Sequence, residues 1–418
     1  MGVVLNHWLP VCTMEDGFNT LVGPEDEDWR VPVSELEARQ AGLQARLREA
    51  GLEGALIQNP VDLYYYAGGR QNASLFVPAE GECRLFVRRS LARAQHESGG
   101  DDSPHRVEAF PRMAAFKDEI GCSPALQFTE IPGGFVNRFA EKLGSTDDVT
   151  SLVHNQREVK SEWELQMMAD GAEIQLQMFE AVAAVGGEGV SEIELVAAAE
   201  AVSRAAGFGG NVQMRRFPLQ CDRGVIVAGR AGGIPSFFDS AIGGTGPHPM
   251  ASMGSGFSTI KTNEPVLVDL VHLHRGYVVD ATRMFVAGSL SSEWEQRLED
   301  MNAVKDTVVD VLDQGLDCSQ AWREGLALAT ELGHADNLMG MAPDQSRFLG
   351  HSVGLQLDET PIVAEGFDRP LPVGGTMAIE PKVVHTTGSI GSEDTWVRDG
   401  EGMRPITAGG AWPWITEW

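Results

Sequence analysis

The chain has 418 residues, of which 43% are hydrophobic, and it carries a formal net charge of −28. A chain of this length exceeds what one hydrophobic core holds, so we expect two domains. The acidic balance argues against a nucleic-acid partner, and no apolar stretch approaches the roughly 20 residues of a membrane span.

The N-terminal segment of about 30 residues is irregular and acidic, as in "GPEDEDW". It has no basic region that leads into an apolar stretch, which argues against a secretory signal peptide, and Asn6 stands where myristoylation requires serine or threonine. The five cysteines are scattered and include no CxxC pair, which predicts reduced structural thiols. We therefore expect a cytoplasmic protein.

The next segment predicts a small α/β domain that ends near residue 155. "VSELEARQAGLQARLREAGLEG" indicates a helix, with Ser34 and Glu37 as a capping box and Gly51 at its end. "GALIQNP" is typical of a short buried strand, and "SLFVPAEGECRLFVRRS" predicts a hairpin around Glu80–Gly81. This alternation of helix and strand favours the α/β class.

A second, larger domain is predicted for residues 156–418. Its first helix is indicated by "SEWELQMMADGAEIQLQMFEAV", in which apolar residues recur at three- and four-residue steps. Capping-box pairs predict the starts of three helices: Ser161 with Glu164, Ser191 with Glu194, and Ser292 with Glu295. Strand-like segments and glycine-rich loops stand between and after these helices, which favours an α+β domain.

Two carboxylates lie in the apolar runs of "VLVDLVHLHRGYVVDATR". The runs predict an antiparallel hairpin that turns at residues 274–276 and sets Asp269 opposite Asp280 on one face. Two buried carboxylates at that distance repel each other, so a cation should lie between them. Arg283 and a divalent metal ion are the two candidates for that cation.

A second hairpin is predicted in "GGTMAIEPKVVHTTGSIGSEDTWV", where Glu380 and Glu393 are centred on the turn at residues 386–388. Their carboxylates should face each other, and Pro381 predicts an edge or a bulge. His351 lies between the hairpins, in "FLGHSVGLQLDETP". Four carboxylates and one imidazole make a poor core, but they suit a two-metal site for Mn²⁺, Fe²⁺, Co²⁺ or Zn²⁺.

These motifs, with "GGTMAIEPKVV" and "GSEDTWV", resemble those of the superfamily of creatinase, aminopeptidase P, prolidase and methionine aminopeptidase, which has the pita-bread fold. "HNQREVKSEWELQMM" resembles the helix that opens the catalytic domain, and "GLEGALIQNPVDLYYYAGG" resembles the N-terminal domain of creatinase and prolidase. The resemblance implies a creatinase-like domain over residues 1–155 and a pita-bread catalytic domain over residues 156–418. The tail "AWPWITEW" is unmatched.

The resemblance also implies roles for individual residues. Five residues would hold two divalent ions: Asp269 one of them, His351 and Glu380 the other, and Asp280 and Glu393 both. Glu380 would also take the proton of a bridging water, whose hydroxide would attack a scissile carbonyl. Thr282 would hydrogen-bond the metal-binding carboxylates. A homodimer is implied as well.

Two positions depart from the peptidases of this superfamily. Asp358 stands where they have a second histidine, and Ser236 stands near the place of a substrate-facing histidine. Asp358 is either a loop residue that caps its neighbours, or a replacement acid/base or anchor for a substrate amine. His248 is a candidate substitute for the substrate-facing histidine.

The leading prediction is a dinuclear metallohydrolase of small peptides or amides, of the Xaa-Pro aminopeptidase or dipeptidase type. Two alternatives stay open. One is a metalloenzyme of the same fold on a non-peptide substrate, either a lyase or a creatinase-like amidinohydrolase, and the other is an inactive binding module. Retention of all five apparent ligands argues against the inactive module, because four buried carboxylates are costly.

Overall fold

The computed structural model describes residues 22–216, 224–237, 239–408 and 411–418. The chain divides into two compact units, Met1–Gln156 and Arg157–Trp418. Most of the acidic N-terminal segment lies outside the described residues. So do Cys12 and Cys221, whereas the described cysteines are free thiols: Cys83, Cys122 and Cys318. No helix within the described ranges is long and apolar enough to cross a membrane.

The first unit has a four-stranded sheet in the order β1-β2-β3-β4, antiparallel except for the pair β3–β4. The strands are β1 (Gly54–Ile57), β2 (Ala73–Pro78), β3 (Arg84–Val87) and β4 (Arg106–Ala109). The helices are α1 (Val33–Glu49), α2 (Pro60–Ala67), α3 (Leu91–Glu97), α4 (Met113–Ile120), α5 (Gly133–Leu143) and α6 (Thr150–Arg157). The hairpin predicted around Glu80–Gly81 is confirmed as β2 and β3. Phe86, Phe116 and Phe139 contribute to the core.

The start of α1 differs from the prediction. The helix begins at Val33, and Pro32 stands at its cap without a side-chain hydrogen bond, so the capping box of Ser34 and Glu37 is wrong. The ring of Pro32 fixes φ at the residue that precedes the helix, which sets the start ahead of the serine. Gly51 follows the helix with a φ of 68°, as expected for a glycine that ends a helix.

The second unit combines helices with strands that are mostly antiparallel. The helices are α7 (Glu162–Val185), α8 (Glu192–Ala205), α9 (Ser292–Asp313) and α10 (Cys318–Glu331). One sheet has the order β15-β7-β6-β5, from β5 (Gly224–Ala228), β6 (Val266–His274), β7 (Tyr277–Val286) and β15 (Ile415–Glu417). The other has the order β14-β13-β10-β8-β9, from β8 (Gly350–Ser352), β9 (Glu359–Ile362), β10 (Thr376–Ile379), β13 (Asp394–Arg398) and β14 (Met403–Pro405). A two-stranded ribbon joins β11 (Lys382–His385) to β12 (Gly388–Gly391).

Helix α7 lies closely against β6 and β7. It begins with the predicted capping box, in which Ser161 and Glu164 bond to each other's backbone N–H. A Cβ on Gly171 would lie 3.3 Å from His274 Cβ, and the Gln175 amide donates to a carbonyl of β6 at 2.5 Å. A glycine and a buried polar bond thus bring the helix onto the strands that carry two of the predicted ligands.

The other two predicted helix starts have different outcomes. Ser191 and Glu194 form the expected capping box of α8. Helix α9 is capped by Ser291, whose hydroxyl accepts from the N–H of Trp294, so the predicted box at Ser292 is wrong by one residue. Two adjacent serines offer the same chemistry, and the sequence pattern alone does not separate them.

The hairpin of β6 and β7 turns at residues 275–276, which both have positive φ. Its register places Asp269 opposite Thr282 and Asp280 opposite Val271, so the predicted direct pairing of the two aspartates is wrong. The prediction centred the turn one residue too early, whereas the two-residue turn matches the twist of the strands. The aspartates still share one face, as diagonal neighbours.

The second hairpin has the predicted register. The pairings β10–β13 and β11–β12 are both centred between residues 386 and 387. Glu380 and Glu393 therefore lie across from each other, in the gap between the two ladders. Pro381 interrupts the pairing there as expected, because it has no N–H to donate.

The outer edge of β7 is held by several distant segments. Alternate N–H groups of this edge donate as follows: Val278 to the carbonyl of Gly354 (2.7 Å), Asp280 to Thr395 Oγ1 (3.0 Å), Thr282 to the carbonyl of Glu393 (3.3 Å) and Met284 to the carbonyl of Trp414 (2.9 Å). The loop after β8, the start of β13 and the C-terminal tail thus meet along one strand. This arrangement fixes the neighbourhood of Asp280.

Candidate metal centre

The structure brings together the five side chains that the sequence singles out as metal ligands. Asp269 lies on β6, Asp280 on β7 and His351 on β8, while Glu380 follows β10 and Glu393 precedes β13. Their ligand atoms form two groups, each within 4.8 Å: Asp280 with His351 and Glu393, and Asp269 with Glu380 and Glu393. Glu393 belongs to both groups.

A lysine from the second hairpin already contacts one of these groups. The ammonium of Lys382 lies 3.3 Å from Asp269 Oδ2, 2.5 Å from Glu380 Oε2 and 2.8 Å from Glu393 Oε2. Lys382 is fully buried. The cation expected among the carboxylates is therefore present as a side chain of the protein.

Arg283, the arginine that the sequence offers for this place, lies elsewhere. Its guanidinium pairs with Asp394 at 2.8 Å and lies over the ring of Trp414. On β7 it points away from the face of Asp280, since residues three apart on a strand lie on opposite faces. Sequence reasoning missed Lys382, although an isolated lysine inside the apolar run "AIEPKVV" was a usable signal.

The other group has polar atoms without a hydrogen-bond partner in the described residues. These buried atoms are Asp280 Oδ1, Glu393 Oε1 and His351 Nδ1. The opposite nitrogen of His351 lies 3.2 Å from Glu380 Oε1. Buried acceptors left without donors are costly, and oxygen and imidazole ligands suit a divalent transition-metal ion. The group of Asp280, His351 and Glu393 therefore fits a metal ion.

The electrostatics show an excess of negative charge in this cluster. Burial raises the pKa of Glu393 to about 8, although Lys382 opposes the rise. Burial and the neighbouring Glu393 hold the pKa of Asp280 well above its usual range. Burial would also raise the pKa of Glu380, but Lys382 and His351 outweigh it and bring the value to about 2. One ammonium does not balance four carboxylates, so the cluster favours further positive charge.

Thr282 has the position that its implied role requires. Its hydroxyl donates to Glu393 Oε2 at 2.8 Å, and its backbone N–H donates to the carbonyl of the same glutamate. Glu393 is thus oriented by a neighbour on β7 as well as by Lys382. Such bonds hold a ligand carboxylate in one rotamer.

The loop after His351 is held by a buried glutamate. Glu359 accepts from Arg157 at 2.5 Å and from Lys160 at 3.0 Å. It also accepts from the backbone N–H groups of Leu355 and Gln356. The two cations outweigh the opposing effect of burial and hold the pKa of Glu359 at about 2. This carboxylate ties the loop to the segment that precedes α7.

A cavity opens beside the cluster, and four of the five predicted ligands line it: Asp269, Asp280, His351 and Glu380. Its apolar wall comprises Met214, Val225, Met253, Phe348, Leu357 and Ile362. Charged side chains at the wall are Arg216, Asp239 and Arg347. The predicted ligands are therefore accessible to a small molecule with both apolar and charged parts.

Asp358 also lines this cavity, and both of its carboxylate oxygens accept hydrogen bonds. Oδ1 accepts from the N–H of Arg215 at 2.5 Å, and Oδ2 accepts from the N–H and Nε of Arg216. These contacts favour the interpretation of Asp358 as a residue that caps a neighbouring loop. They leave its acid/base role without support from the geometry.

The two predicted substrate-binding residues lie outside this lining among the described residues. Ser236 lines a separate, smaller cavity, and His248 is exposed on a turn. Ser240, four residues after Ser236, lines both cavities. Ser236 and His248 were chosen by a loose match of this glycine-rich loop to the superfamily pattern. In the structure, both are a few residues from those that line the larger cavity.

Two family models match the chain. The model "Metallopeptidase family M24" matches residues 166–399, a range that includes the five predicted ligands and Lys382. The model "Creatinase/Prolidase N-terminal domain" matches residues 39–159. The resemblance inferred from the sequence motifs is therefore confirmed.

Similar proteins extend over most of the chain. The Xaa-Pro dipeptidase of Pyrococcus horikoshii is 23% identical over 360 residues, which cover 85% of this chain and 93% of that protein. The crystal structure of dipeptidase PepE from Mycobacterium ulcerans has a TM-score of 0.77 at 20% identity and covers 93% of this chain and all of that one. The prolidase structure from Pyrococcus horikoshii has a TM-score of 0.72 at 21% identity and covers 88% and 98% of the two chains. The predicted α+β fold, with a creatinase-like domain and a pita-bread catalytic domain, is confirmed.

Proposed function

Because the chain belongs to metallopeptidase family M24, we propose that it is a metal-dependent hydrolase of small peptides, of the Xaa-Pro dipeptidase or aminopeptidase type. The observation that carries the proposal is the cluster of Asp269, Asp280, His351, Glu380 and Glu393 beside one cavity. The similarity to Xaa-Pro dipeptidases over 85% of the chain supports the substrate class. As in the resemblance, we propose a homodimer.

Asp280, His351 and Glu393 would hold a divalent ion, which polarises a carbonyl oxygen and activates water when it is bound. Mn²⁺, Co²⁺, Fe²⁺ and Zn²⁺ all suit this ligand set. Asp269, Glu380 and Glu393 would hold the second ion of a dinuclear centre only if Lys382 left them. Asp269 and Glu380 also line the cavity, so their carboxylates would face a bound substrate.

Glu380 is the best-placed group for moving a proton. It lines the cavity, contacts Lys382 and His351, and has a pKa of about 2. It is therefore an ionised acceptor beside two donors at neutral pH. So low a pKa makes Glu380 a weak base while Lys382 contacts it. Loss of that contact would raise its pKa toward the range in which a carboxylate takes a proton from attacking water and passes it to the leaving amine.

The cavity wall supports a short substrate with a free carboxylate. The apolar residues at the wall would contact a side chain or a pyrrolidine ring, and Arg216 and Arg347 offer guanidinium groups for a carboxylate. Arg216 is partly engaged with Asp239 and Asp358, which orient it. A dipeptide presents these groups in a compact molecule.

A second candidate function is a metal-dependent reaction on a non-peptide substrate. The specific observation is that Lys382 contacts three of the predicted ligand carboxylates. The resemblance also implies a histidine at the position of Asp358, whose carboxylate instead accepts from the backbone of Arg215 and Arg216. A lyase or an amidinohydrolase would tolerate such changes, since the fold hosts different reactions.

The test is hydrolysis of a panel of Xaa-Pro dipeptides and tripeptides by purified protein, with Mn²⁺ or Co²⁺ added and product amines quantified. Asp280→Asn should lower the bound metal and the hydrolysis rate together, because the amide is a weaker ligand. Asp310→Asn, which changes an exposed carboxylate of α9, should change neither. No cleavage of any peptide by metal-loaded protein would reject the peptidase and leave the non-peptide candidate.

A further inference from the structure

We propose that the Lys382 ammonium is a built-in cation that replaces one of the two metal ions, so that the centre binds a single divalent ion at Asp280, His351 and Glu393. The inference rests on the proposed function only in that a divalent ion binds at this centre. It does not depend on the substrate. Its basis is the geometry of the two ligand groups.

The Lys382 ammonium has as many N–H donors as the group has carboxylates, and it contacts each of them. A lysine ammonium has three N–H donors and no acceptor. The oxygens nearest Nζ belong to three different carboxylates, those of Asp269, Glu380 and Glu393. These are the same three residues whose ligand atoms form one of the two potential metal sites. Every donor therefore has a carboxylate, and every ligand of that site has a donor.

A metal ion cannot bind the same three carboxylate oxygens that the Lys382 ammonium contacts. Bonds from a divalent transition metal to a carboxylate oxygen are about 2.0–2.2 Å long. An ion bound to oxygens that lie 2.5–3.3 Å from Nζ would be in contact with the ammonium. Two cations at contact distance in a buried site repel strongly. Binding of a second ion would require Lys382 to leave.

The surrounding structure holds the lysine in place. Its side chain is fully buried, and its backbone is paired in the β11–β12 ribbon opposite Gly391. A Cβ on Gly391 would lie 2.5 Å from the Pro381 carbonyl oxygen and 2.6 Å from Lys382 Cγ, so glycine lets this strand pass close to both the backbone and the side chain of the lysine segment. The carbonyl of Lys382 also accepts from the N–H of Met339 at 2.8 Å. These backbone contacts fix the segment that carries Lys382.

The formal charges allow one divalent ion beside the ammonium. The four carboxylates carry four negative charges, and Lys382 contributes one positive charge. One divalent ion leaves the cluster at −1 and two would leave it at +1, so it is the contact between cations, and not the net charge, that argues against the second ion. Asp280 Oδ1 and Glu393 Oε1 are buried and have no hydrogen-bond partner in the described residues. Lys382 donates to the other oxygen of Glu393, so these two oxygens remain for the divalent ion.

The test counts metal ions. Wild-type protein and Lys382→Ala are equilibrated with excess Mn²⁺, freed of unbound ion by gel filtration, and assayed by elemental analysis. We expect one Mn²⁺ per wild-type chain and two per Lys382→Ala chain, a doubling. Lys305→Ala removes another buried lysine of the same unit, on α9, and should keep the wild-type count.

Electron paramagnetic resonance of the wild-type protein gives a second measurement that does not need a folded variant. A single Mn²⁺ gives the spectrum of an isolated ion, whereas two ions about 3.5–4 Å apart couple magnetically. Two bound ions with a coupled spectrum in the wild type would overturn the proposal, and so would no bound ion at all. One uncoupled ion together with inactivity on every peptide would support the proposal while rejecting the peptidase function.

Discussion

The contact of Glu359 with Arg157 and Lys160 gives a prediction about stability. All three side chains are at most 7% exposed, and the bonds measure 2.5 and 3.0 Å. In Glu359→Gln the two cations stay buried, but their shared counter-charge is lost. We expect a large loss of stability with little change in shape, since glutamine has nearly the same size as glutamate.

The magnitude follows from the environment of the carboxylate. Its pKa falls from the ordinary value of 4.5 to about 2, because Arg157 and Lys160 outweigh the cost of burial. At about 1.4 kcal/mol per pH unit, this corresponds to about 3 kcal/mol. Removing one partner of a buried ion pair costs a similar amount, about 3–5 kcal/mol. We therefore expect the free energy of unfolding to fall by about 3 kcal/mol or more.

The assay is urea unfolding of both proteins at neutral pH, followed by fluorescence, with equal m-values as the condition for comparison. The control is Glu365→Gln, whose partner Arg323 lies 3.2 Å away at an exposed surface. The control should lose at most about 1 kcal/mol. A loss below 1 kcal/mol for Glu359→Gln would refute the reasoning.

The difference in stability between the wild-type protein and Glu359→Gln should depend on pH. A carboxyl group whose pKa is lowered by folding stabilises the native state above its unfolded pKa and loses this effect as the pH falls through the folded value. For Glu359 the stabilisation is complete above about pH 4.5 and is lost toward pH 2. The difference between wild type and Glu359→Gln should therefore shrink as the pH falls from 5 to 2. A difference that stays constant over this range would contradict the assignment.

Two further predictions concern the metal centre and its wall. Removal of bound metal by a chelator should lower the melting temperature. The reason is that a free ion at 100 times its dissociation constant stabilises the native state by about 2.7 kcal/mol. An unchanged melting curve after verified metal removal would count against a metal-loaded native state. Asp358→Ala should raise KM for a cleaved peptide more than it lowers kcat, because the carboxylate holds the backbone of Arg215 and Arg216 at the cavity. The bound metal, measured by elemental analysis, should stay constant. A fall in kcat alone would instead assign Asp358 the acid/base role.

The sequence predicts the ligand set because the pattern is local and chemical. Carboxylates in apolar runs are rare, and the first hairpin differs from its predicted register by two residues, which keeps both aspartates on one face. The register of the second hairpin was predictable from its midpoint, since the chain turns symmetrically between residues 386 and 387. The first hairpin was misjudged because a turn of two residues with positive φ displaced the centre by one.

The occupant of the cluster was not predictable in the same way. Arg283 and Lys382 are both basic residues in strands, and only the three-dimensional arrangement shows that Lys382 contacts three carboxylates. Arg283 lies on the other face of β7, whereas Lys382 extends past Gly391 to three ligands. Strand alternation excludes Arg283 from the face of Asp280, but only the distances between segments far apart in the chain show that Lys382 reaches the carboxylates.

The coverage of the β7 edge has a consequence for solubility. All ten residues of β7 are buried, and the N–H groups of its outer edge are taken by the loop after β8, the start of β13 and the tail. An uncovered apolar edge strand is a template on which other chains can add strands. The tail, residues 411–418, shields the end of β7 near Met284 through β15 and the Trp414 carbonyl. The tryptophan-rich segment therefore covers part of a strand edge on which another chain could otherwise pair.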